Sequence, residues 1–113
     1  MPKVFGLHEV ELPTGVTPEE FERGFGKELA SLPDYQGWKT YLLKGDRGDR
    51  AGKFLMLFEI DSVEARDRYF PRPQEESEEA RRFAEQHPEA EAVWEKYAFL
   101  FGPHSATDYI VVG

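Results

Sequence analysis

The sequence predicts an α+β domain built on a four-stranded antiparallel sheet, with its elements in the order β-α-β-β-α-β. Three observations carry this prediction. Four segments are rich in apolar, β-branched and aromatic residues, two regions repeat their apolar residues at helical spacing, and a short glycine-rich segment joins the second strand to the third. The 113 residues make a single domain, 1–113, of ordinary size.

The first strand and the first helix follow from the N-terminal third. Residues 3–12, KVFGLHEVEL, have apolar residues on both parities, which indicates a strand covered on both faces. The helix is predicted to begin after Thr17, because Pro18 suits the first helical position and Glu20 completes a capping box. Pro33 ends it. Its apolar stripe consists of Phe21, Phe25, Leu29 and Leu32.

A β-hairpin is predicted in the middle of the chain. Residues 35–44, YQGWKTYLLK, and 53–60, KFLMLFEI, are the second and third strands, and the polar segment GDRGDRAG joins them. The RGD tripeptide at 47–49 is interpreted as part of the turn, since hairpin tips favour Gly and Asp. A phosphate-binding loop is excluded, because its glycines are one residue too close and no Ser or Thr follows the lysine.

The second helical region is predicted in pieces. Asp61 is the expected N-cap of the first piece, with Glu64 as its capping-box partner, and the PRP segment ends it. A longer acidic helix follows over 74–101 and is expected to kink or restart at Pro88. Residues 107–113, TDYIVVG, form the fourth strand. This order is the ferredoxin-like split βαβ unit and predicts the spatial strand order 4-1-3-2, with the helices on one face.

The strands are apolar on both faces, which leads to an expected homodimer. In the third strand, one set of apolar residues alternates with another, Phe54, Met56 and Phe58 against Leu55 and Leu57. Helices on one side of the sheet would leave the second set as an apolar patch larger than monomers normally expose. A two-fold homodimer that presses two such sheets together would cover it.

Composition excludes several classes of function. The net charge of −8 argues against a nucleic-acid partner, and the slight basic excess of residues 37–72 is ascribed to a solvated hairpin tip. The longest fully apolar run, FLMLF, is too short to cross a membrane, and no signal peptide is recognised, so a cytoplasmic protein is expected. The absence of Cys excludes disulfides and thiolate sites. Sixteen Glu and no Asn are typical of thermophilic proteins.

In length, element order and doubly apolar strands, the chain resembles the dimeric α/β-barrel superfamily, which includes antibiotic-biosynthesis monooxygenases. The segment GKFLMLFEIDSVEARDRYF matches its hairpin, apolar strand and capped helix. The resemblance covers essentially the whole chain and implies a ligand pocket between the sheet and the helices of each subunit. The superfamily also includes haem-degrading oxygenases, isomerases and stress proteins, so the cofactor is unknown and haem or flavin binding stays open. The haem-degrading branch uses an Asn, which this chain lacks.

Two polar residues in segments otherwise built for burial are the candidate acid–base groups. His8 lies mid-strand on the parity of Val4 and Val10, and Gly6 leaves space beside it, as a ligand pocket would require. Glu59 lies near the end of the most apolar strand. Burial beside a cavity would shift the pKa of either group and suit it to general acid–base catalysis. The alternatives are a structural histidine and a carboxylate at a solvated strand end.

The predicted function is a small monooxygenase-like or isomerase-like enzyme that acts on a small hydrophobic or aromatic molecule. Its alternatives are a non-catalytic ligand-binding or stress-response dimer and, third, a ligand-sensing regulatory module. No close-spaced ligand pair is present, so no metal site is predicted, although His8 and His104 with a carboxylate remain an alternative. Aromatic residues at helical spacing are commonly plain core. The candidate ligand-binding residues are Tyr41, Tyr69, Trp94, Tyr97 and His104.

Overall fold

A computed structural model of the chain describes residues 2–101 and 106–113, with the side chains of residues 100 and 101 excepted. The strands β1, β2, β3 and β4 form one antiparallel sheet in the spatial order β2-β3-β1-β4, which confirms the predicted order. The architecture is α+β and compatible with a ferredoxin-like fold. The elements are β1 Val4–Val10, α1 Pro18–Leu29, β2 Trp38–Lys44, β3 Phe54–Ile60, α2 Val63–Asp67, α3 Glu78–Gln86, α4 Pro88–Lys96, a 3-10 helix Ala98–Phe101, and β4 Ala106–Ile110.

The predicted N-cap is confirmed for α1 and wrong for α2. Thr17 caps α1 as predicted, since its Oγ1 accepts a hydrogen bond from the backbone N–H of Glu20 at 3.2 Å. The predicted N-cap Asp61 is wrong, because the neighbouring Ser62 caps α2 through its Oγ, which accepts from the N–H of Ala65 at 3.1 Å. The backbone N–H of Asp61 instead donates to the carbonyl of Gly37 at 2.9 Å and ties the start of α2 to β2.

The predicted long acidic helix is two helices. Ser77 caps α3, so helical structure begins later than the predicted residue 74. The predicted restart at Pro88 is confirmed, because α3 ends at Gln86 and α4 begins at the proline. Between them His87 adopts φ −129° and ψ 65°, which breaks the helical path. Within the described residues, no helix is long and apolar enough to cross a membrane.

The glycine-rich segment is the turn of the β2–β3 hairpin, as predicted. The backbone N–H of Gly45 donates to the carbonyl of Lys53, and that of Gly52 donates to the carbonyl of Gly45, both at 2.8 Å. Gly48 and Gly52 have φ of 105° and 81°, a region that only glycine enters without strain. The RGD tripeptide therefore lies at an exposed hairpin tip.

One face of the sheet packs against the helices and forms the main core. The buried side chains Phe21 and Phe25 of α1 meet residues of β1 and β3, and Tyr97 closes the cluster from the end of α4. The sheet contributes Val10, Phe54 and Met56 to this cluster. All three have the parity of His8 in their strands, so His8 also faces the helices.

The opposite face of the sheet, here called the open face, carries the other parity of each strand. Half-buried Leu57 lies beside Leu7 at its centre, and Tyr41, Leu43 and Tyr109 are 40%, 40% and 54% exposed. The helix contacts of the described core fall on the other face. The second apolar set that the sequence predicts is therefore present at the surface of the single chain.

Candidate functional site

A half-buried histidine lies on the helix-facing side of β1. His8 has the parity of the buried residues Val4 and Val10, which fixes its side chain toward the interior. Its ring meets the ring of Phe58 on β3 edge to face, with the centroids 5.4 Å apart. The imidazole of His8 thus packs against the aromatic ring of Phe58.

A carboxylate occupies the space beside Gly6. The register pairs Gly6 of β1 directly with Asp108 of β4. A Cβ atom at position 6 would lie 3.0 Å from Oδ1 of Asp108 and 3.7 Å from Cβ of Phe58. The sequence predicts open space here for a ligand, but in this structure that space holds the Asp108 side chain.

An arginine from α2 holds the same carboxylate. Nη1 of Arg66 donates to Oδ2 of Asp108 at 3.2 Å, while its Nε donates to Oδ1 of Asp67 at 3.0 Å. The helix that carries Arg66 is anchored to the sheet, because the indole Nε1 of Trp38 donates to the carbonyl of Ala65 at 3.0 Å. We call the group formed by Gly6, His8, Phe58, Arg66 and Asp108 the His8 site.

The electrostatics of the His8 site favour a neutral imidazole at pH 7. Burial lowers the pKa of His8 below its ordinary value, and the negative charge of Asp108 opposes this effect without reversing it. A neutral imidazole accepts a proton, and the carboxylate nearby then stabilises the imidazolium. The site can therefore take up and return a proton.

Glu59, the other predicted acid–base residue, lies on the open face of the sheet. Its Oε2 accepts from Nζ of Lys3 at 2.9 Å and its Oε1 from the hydroxyl of Tyr41 at 3.2 Å. The hydrogen bond from Lys3, and then that from Tyr41, lowers the pKa of Glu59. A carboxylate held in its ionised form is a weak base. His8 and Glu59 are on opposite faces of the sheet and share no site.

Glu59 lines an open hollow at the surface, and a second open hollow lies against α1. The first has a volume of about 250 Å³ and combines both signs of charge, its lining being Lys3, Gly37, Trp38, Lys39, Glu59 and Asp61. The second, of about 330 Å³, lies between α1 and β2 and is lined in part by Leu29, Thr40 and Leu42. Neither hollow includes a residue of the His8 site.

The predicted ligand-binding aromatic residues are distributed over three places. Tyr41 is on the open face. Tyr69 is buried and stacks on Tyr35, with the ring centroids 4.2 Å apart. Trp94 and Tyr97 do come together, but in the core around Phe25, at centroid distances of 6.0 and 4.5 Å from it. His104, the remaining predicted residue, lies outside the described residues.

Sequence reasoning missed three members of the His8 site, because it assigned Phe58 only to the apolar set of the third strand and did not consider Asp108 or Arg66. Asp108 is the one charged residue of the segment TDYIVVG, and with the strand order 4-1-3-2 its strand is adjacent to the strand of Gly6. That combination was the available signal. Arg66 had no such signal, because its contact with Asp108 spans 42 residues of sequence and depends on where α2 packs.

The described residues form no metal-binding cluster, and comparison with known proteins identifies no related protein. In the described ranges, 2–101 and 106–113, no group of three or more His, Asp or Glu side chains is arranged to hold a metal ion. The alternative metal site with His104 extends beyond those residues. Comparison of the chain with protein-family models, with curated proteins and with solved structures gives no match.

Proposed function

We propose that this chain is a small enzyme of the dimeric α/β-barrel type, isomerase-like in its chemistry, in which His8 transfers a proton on a small hydrophobic or aromatic carbonyl compound. The observation that carries the proposal is the environment of His8. Its imidazole is half-buried, its pKa is lowered by burial, and it lies against the ring of Phe58. A base that is neutral at pH 7 and partly shielded from water is suited to removing a proton from carbon.

The proposed reaction balances within the site. An imidazole nitrogen of His8 takes a proton from the carbon next to the carbonyl. The C–H electron pair becomes a C=C bond and the carbonyl π pair moves to oxygen, which gives an enolate. In a β,γ-unsaturated carbonyl compound this enolate is a conjugated dienolate. The imidazolium returns the proton to its γ-carbon, which gives the α,β-unsaturated isomer and restores neutral His8. A monooxygenase-like reaction would share the first step, with molecular oxygen as the co-reactant that takes up the electrons.

The substrate class follows from the surfaces near His8. The ring of Phe58 is adjacent to His8, and the ring of Trp38 lies 5.9 Å from Phe58, centroid to centroid. Aromatic rings favour flat apolar molecules through edge-to-face and stacked contacts. A carbonyl group adjacent to an aromatic or conjugated system combines that shape with an acidic C–H bond.

The proposed assembly is a homodimer with two open faces pressed together. Its support is the apolar centre of the open face, where Leu57 lies beside Leu7, together with exposed Tyr41 and Tyr109. An apolar sheet face of this kind is stabilised when a second copy removes it from water.

The test is α-proton exchange measured by NMR in D2O. A panel of small aromatic ketones, with 2-tetralone as its first member, is incubated with the wild type and with His8→Gln. The wild type is expected to exchange the α-protons of a panel member faster than buffer does, and His8→Gln to lose about 100-fold of that rate. His87→Gln is the control, since His87 lies at the α3–α4 junction, away from the His8 site.

Two outcomes would overturn the proposal. If no panel member exchanges faster with the wild type than in buffer, this substrate class is wrong. If His8→Gln exchanges as fast as the wild type, His8 is not the acid–base group, and a non-catalytic ligand-binding dimer becomes the better account.

A further inference from the structure

We propose that Asp108 is a positioning residue for His8, held over β1 by Arg66, and that the Asp67–Arg66–Asp108 group provides the net negative charge that His8 faces. The effect on turnover rests on the function proposed above. The electrostatic coupling does not, and it is measurable in the protein without any substrate.

The first step is that three independent constraints place the Asp108 carboxylate. The β1–β4 register sets Asp108 opposite Gly6 and therefore on the helix-facing side, two residues along the strand from the level of His8. The missing side chain at Gly6 leaves the room that Oδ1 occupies, since a Cβ there would lie 3.0 Å from it. The hydrogen bond from Arg66 to Oδ2 fixes the other oxygen.

The second step is that Arg66 itself is firmly placed. Its helix is capped by Ser62 and bound to β2 through the hydrogen bond from Trp38 to the carbonyl of Ala65. Close packing adds to this, because a Cβ at Gly37 would lie 3.3 Å from Cβ of Ala65. The Arg66 side chain is 27% exposed, less than either of its two carboxylate partners. The arginine is thus a fixed donor, and Asp108 is the group that it orients.

The third step is the balance of charge. Arg66 is shared between Asp67 and Asp108, so one positive charge faces two negative charges. The charge of Asp108, from β4, acts on His8, while β3 presents the uncharged ring of Phe58. The group therefore stays negative overall. That charge stabilises an imidazolium at His8, the form that proton abstraction produces.

The exposure of the pair indicates what it does. The side chain of Asp108 is 46% exposed, and ion pairs this open to solvent contribute little to folding stability. Their effect on the charge state of a nearby, more buried group is larger, because the field lines pass partly through protein. A change in the charge state of His8 is therefore the expected consequence of this pair.

The experiment is an NMR titration of the His8 ring protons in the full chain, with His8→Gln used to assign the signal. The variants are Asp108→Asn and Arg66→Gln, with Asp46→Asn as a matched control, since Asp46 is 95% exposed at the hairpin tip. We expect the titration midpoint of His8 to move to lower pH in Asp108→Asn, because a stabilising negative charge is lost. It should move to higher pH in Arg66→Gln, because Asp108 is then no longer neutralised, and stay unchanged in Asp46→Asn.

The opposite directions keep the proposal testable even if one variant does not fold. A folded Asp108→Asn with the wild-type midpoint overturns the proposal, and so does a folded Arg66→Gln whose midpoint stays or falls. If Asp108 or Arg66 had only a structural role, its substitution would lower the melting temperature without moving the His8 midpoint in the predicted direction.

The experiments distinguish failure of the coupling between Asp108 and His8 from failure of the proposed acid–base function. If His8→Gln keeps full α-proton exchange, the acid–base function fails, while a moved midpoint in Asp108→Asn still establishes the coupling. If the acid–base function and the coupling are both confirmed, the acid limb of the pH–rate profile should shift to lower pH in Asp108→Asn, by the same amount as the NMR midpoint. An unshifted acid limb would exclude Asp108 as a positioning residue for catalysis.

Discussion

At the scale of single residues, Gly6 is the position where a small change should have the most local effect. We predict that Gly6→Ala lowers the free energy of unfolding by about 1 kcal/mol, because crowding outweighs the entropy that alanine removes from the unfolded chain. The new Cβ would lie 3.0 Å from Oδ1 of Asp108, the movable end of a side chain, so the carboxylate shifts rather than the backbone. Urea unfolding measures the loss.

Gly26→Ala is the matched control for that substitution. Gly26 lies inside α1, and a Cβ there meets no atom within 4 Å, so alanine should stabilise the protein by up to about 1 kcal/mol. The two Gly→Ala changes are thus expected to have opposite signs. An equal or stabilising effect at Gly6 would show that Asp108 does not occupy the space beside it.

Residue-scale prediction from sequence succeeded where a local pattern determines the outcome. The inward direction of His8 follows from the period of two in a strand, and its side of the sheet is as the parity of Val4 and Val10 indicates. Glu59 lies on the opposite face from His8, but its parity in β3 could not show this without the β1–β3 register. The partner of Gly6 could not be derived, because it depends on the β1–β4 register, which a one-residue slip would reverse.

At the scale of elements, the β2–β3 hairpin carries one arginine that contacts the sheet and one that is almost fully exposed. Arg50 donates from Nη2 to the carbonyl of Phe54 at 3.0 Å and lies 3.7 Å from Glu9. Arg47, in the RGD tripeptide, is 95% exposed. We predict that Arg50→Ala costs about 0.5 to 1 kcal/mol of stability, because a partly shielded hydrogen bond is lost, and that Arg47→Ala leaves the stability unchanged.

Thermal and urea unfolding of the two arginine variants, side by side with the wild type, check this difference. Equal losses in both would mean that the contacts of Arg50 with Phe54 and Glu9 are not maintained in solution.

The sequence predicted the β2–β3 hairpin more accurately than the start of α2, because different interactions determine the two. Glycines with positive φ determine a turn locally. The N-cap of α2 is Ser62 rather than the predicted Asp61, and the backbone N–H of Asp61 is bonded to Gly37, which is distant in sequence.

At the scale of the whole molecule, the order of the elements predicted the sheet topology, because a β-α-β-β-α-β order has a characteristic strand arrangement and a hairpin joins β2 directly to β3. The location of a ligand site did not follow in the same way. The aromatic residues Tyr69, Trp94 and Tyr97 pack in two separate clusters, and helical spacing cannot tell a core cluster from a pocket wall. The apolar open face was predictable, since alternation within a strand assigns every residue to a face.

The open face also yields the last prediction, which concerns the proposed dimer. Analytical ultracentrifugation of the wild type should give a mass of twice 13.0 kDa. Leu57→Glu should reduce it to that of one chain, because two like charges would then be buried where the faces meet. Val112→Glu is the control, since Val112 lies beyond the end of β4 and is not part of the open face, so its substitution should leave the dimer intact. A wild-type monomer across the concentration range, or a Leu57→Glu dimer as tight as the wild type, would refute this mode of assembly. The His8 site lies on the other side of the sheet, so the coupling between Asp108 and His8 should persist in a folded Leu57→Glu monomer.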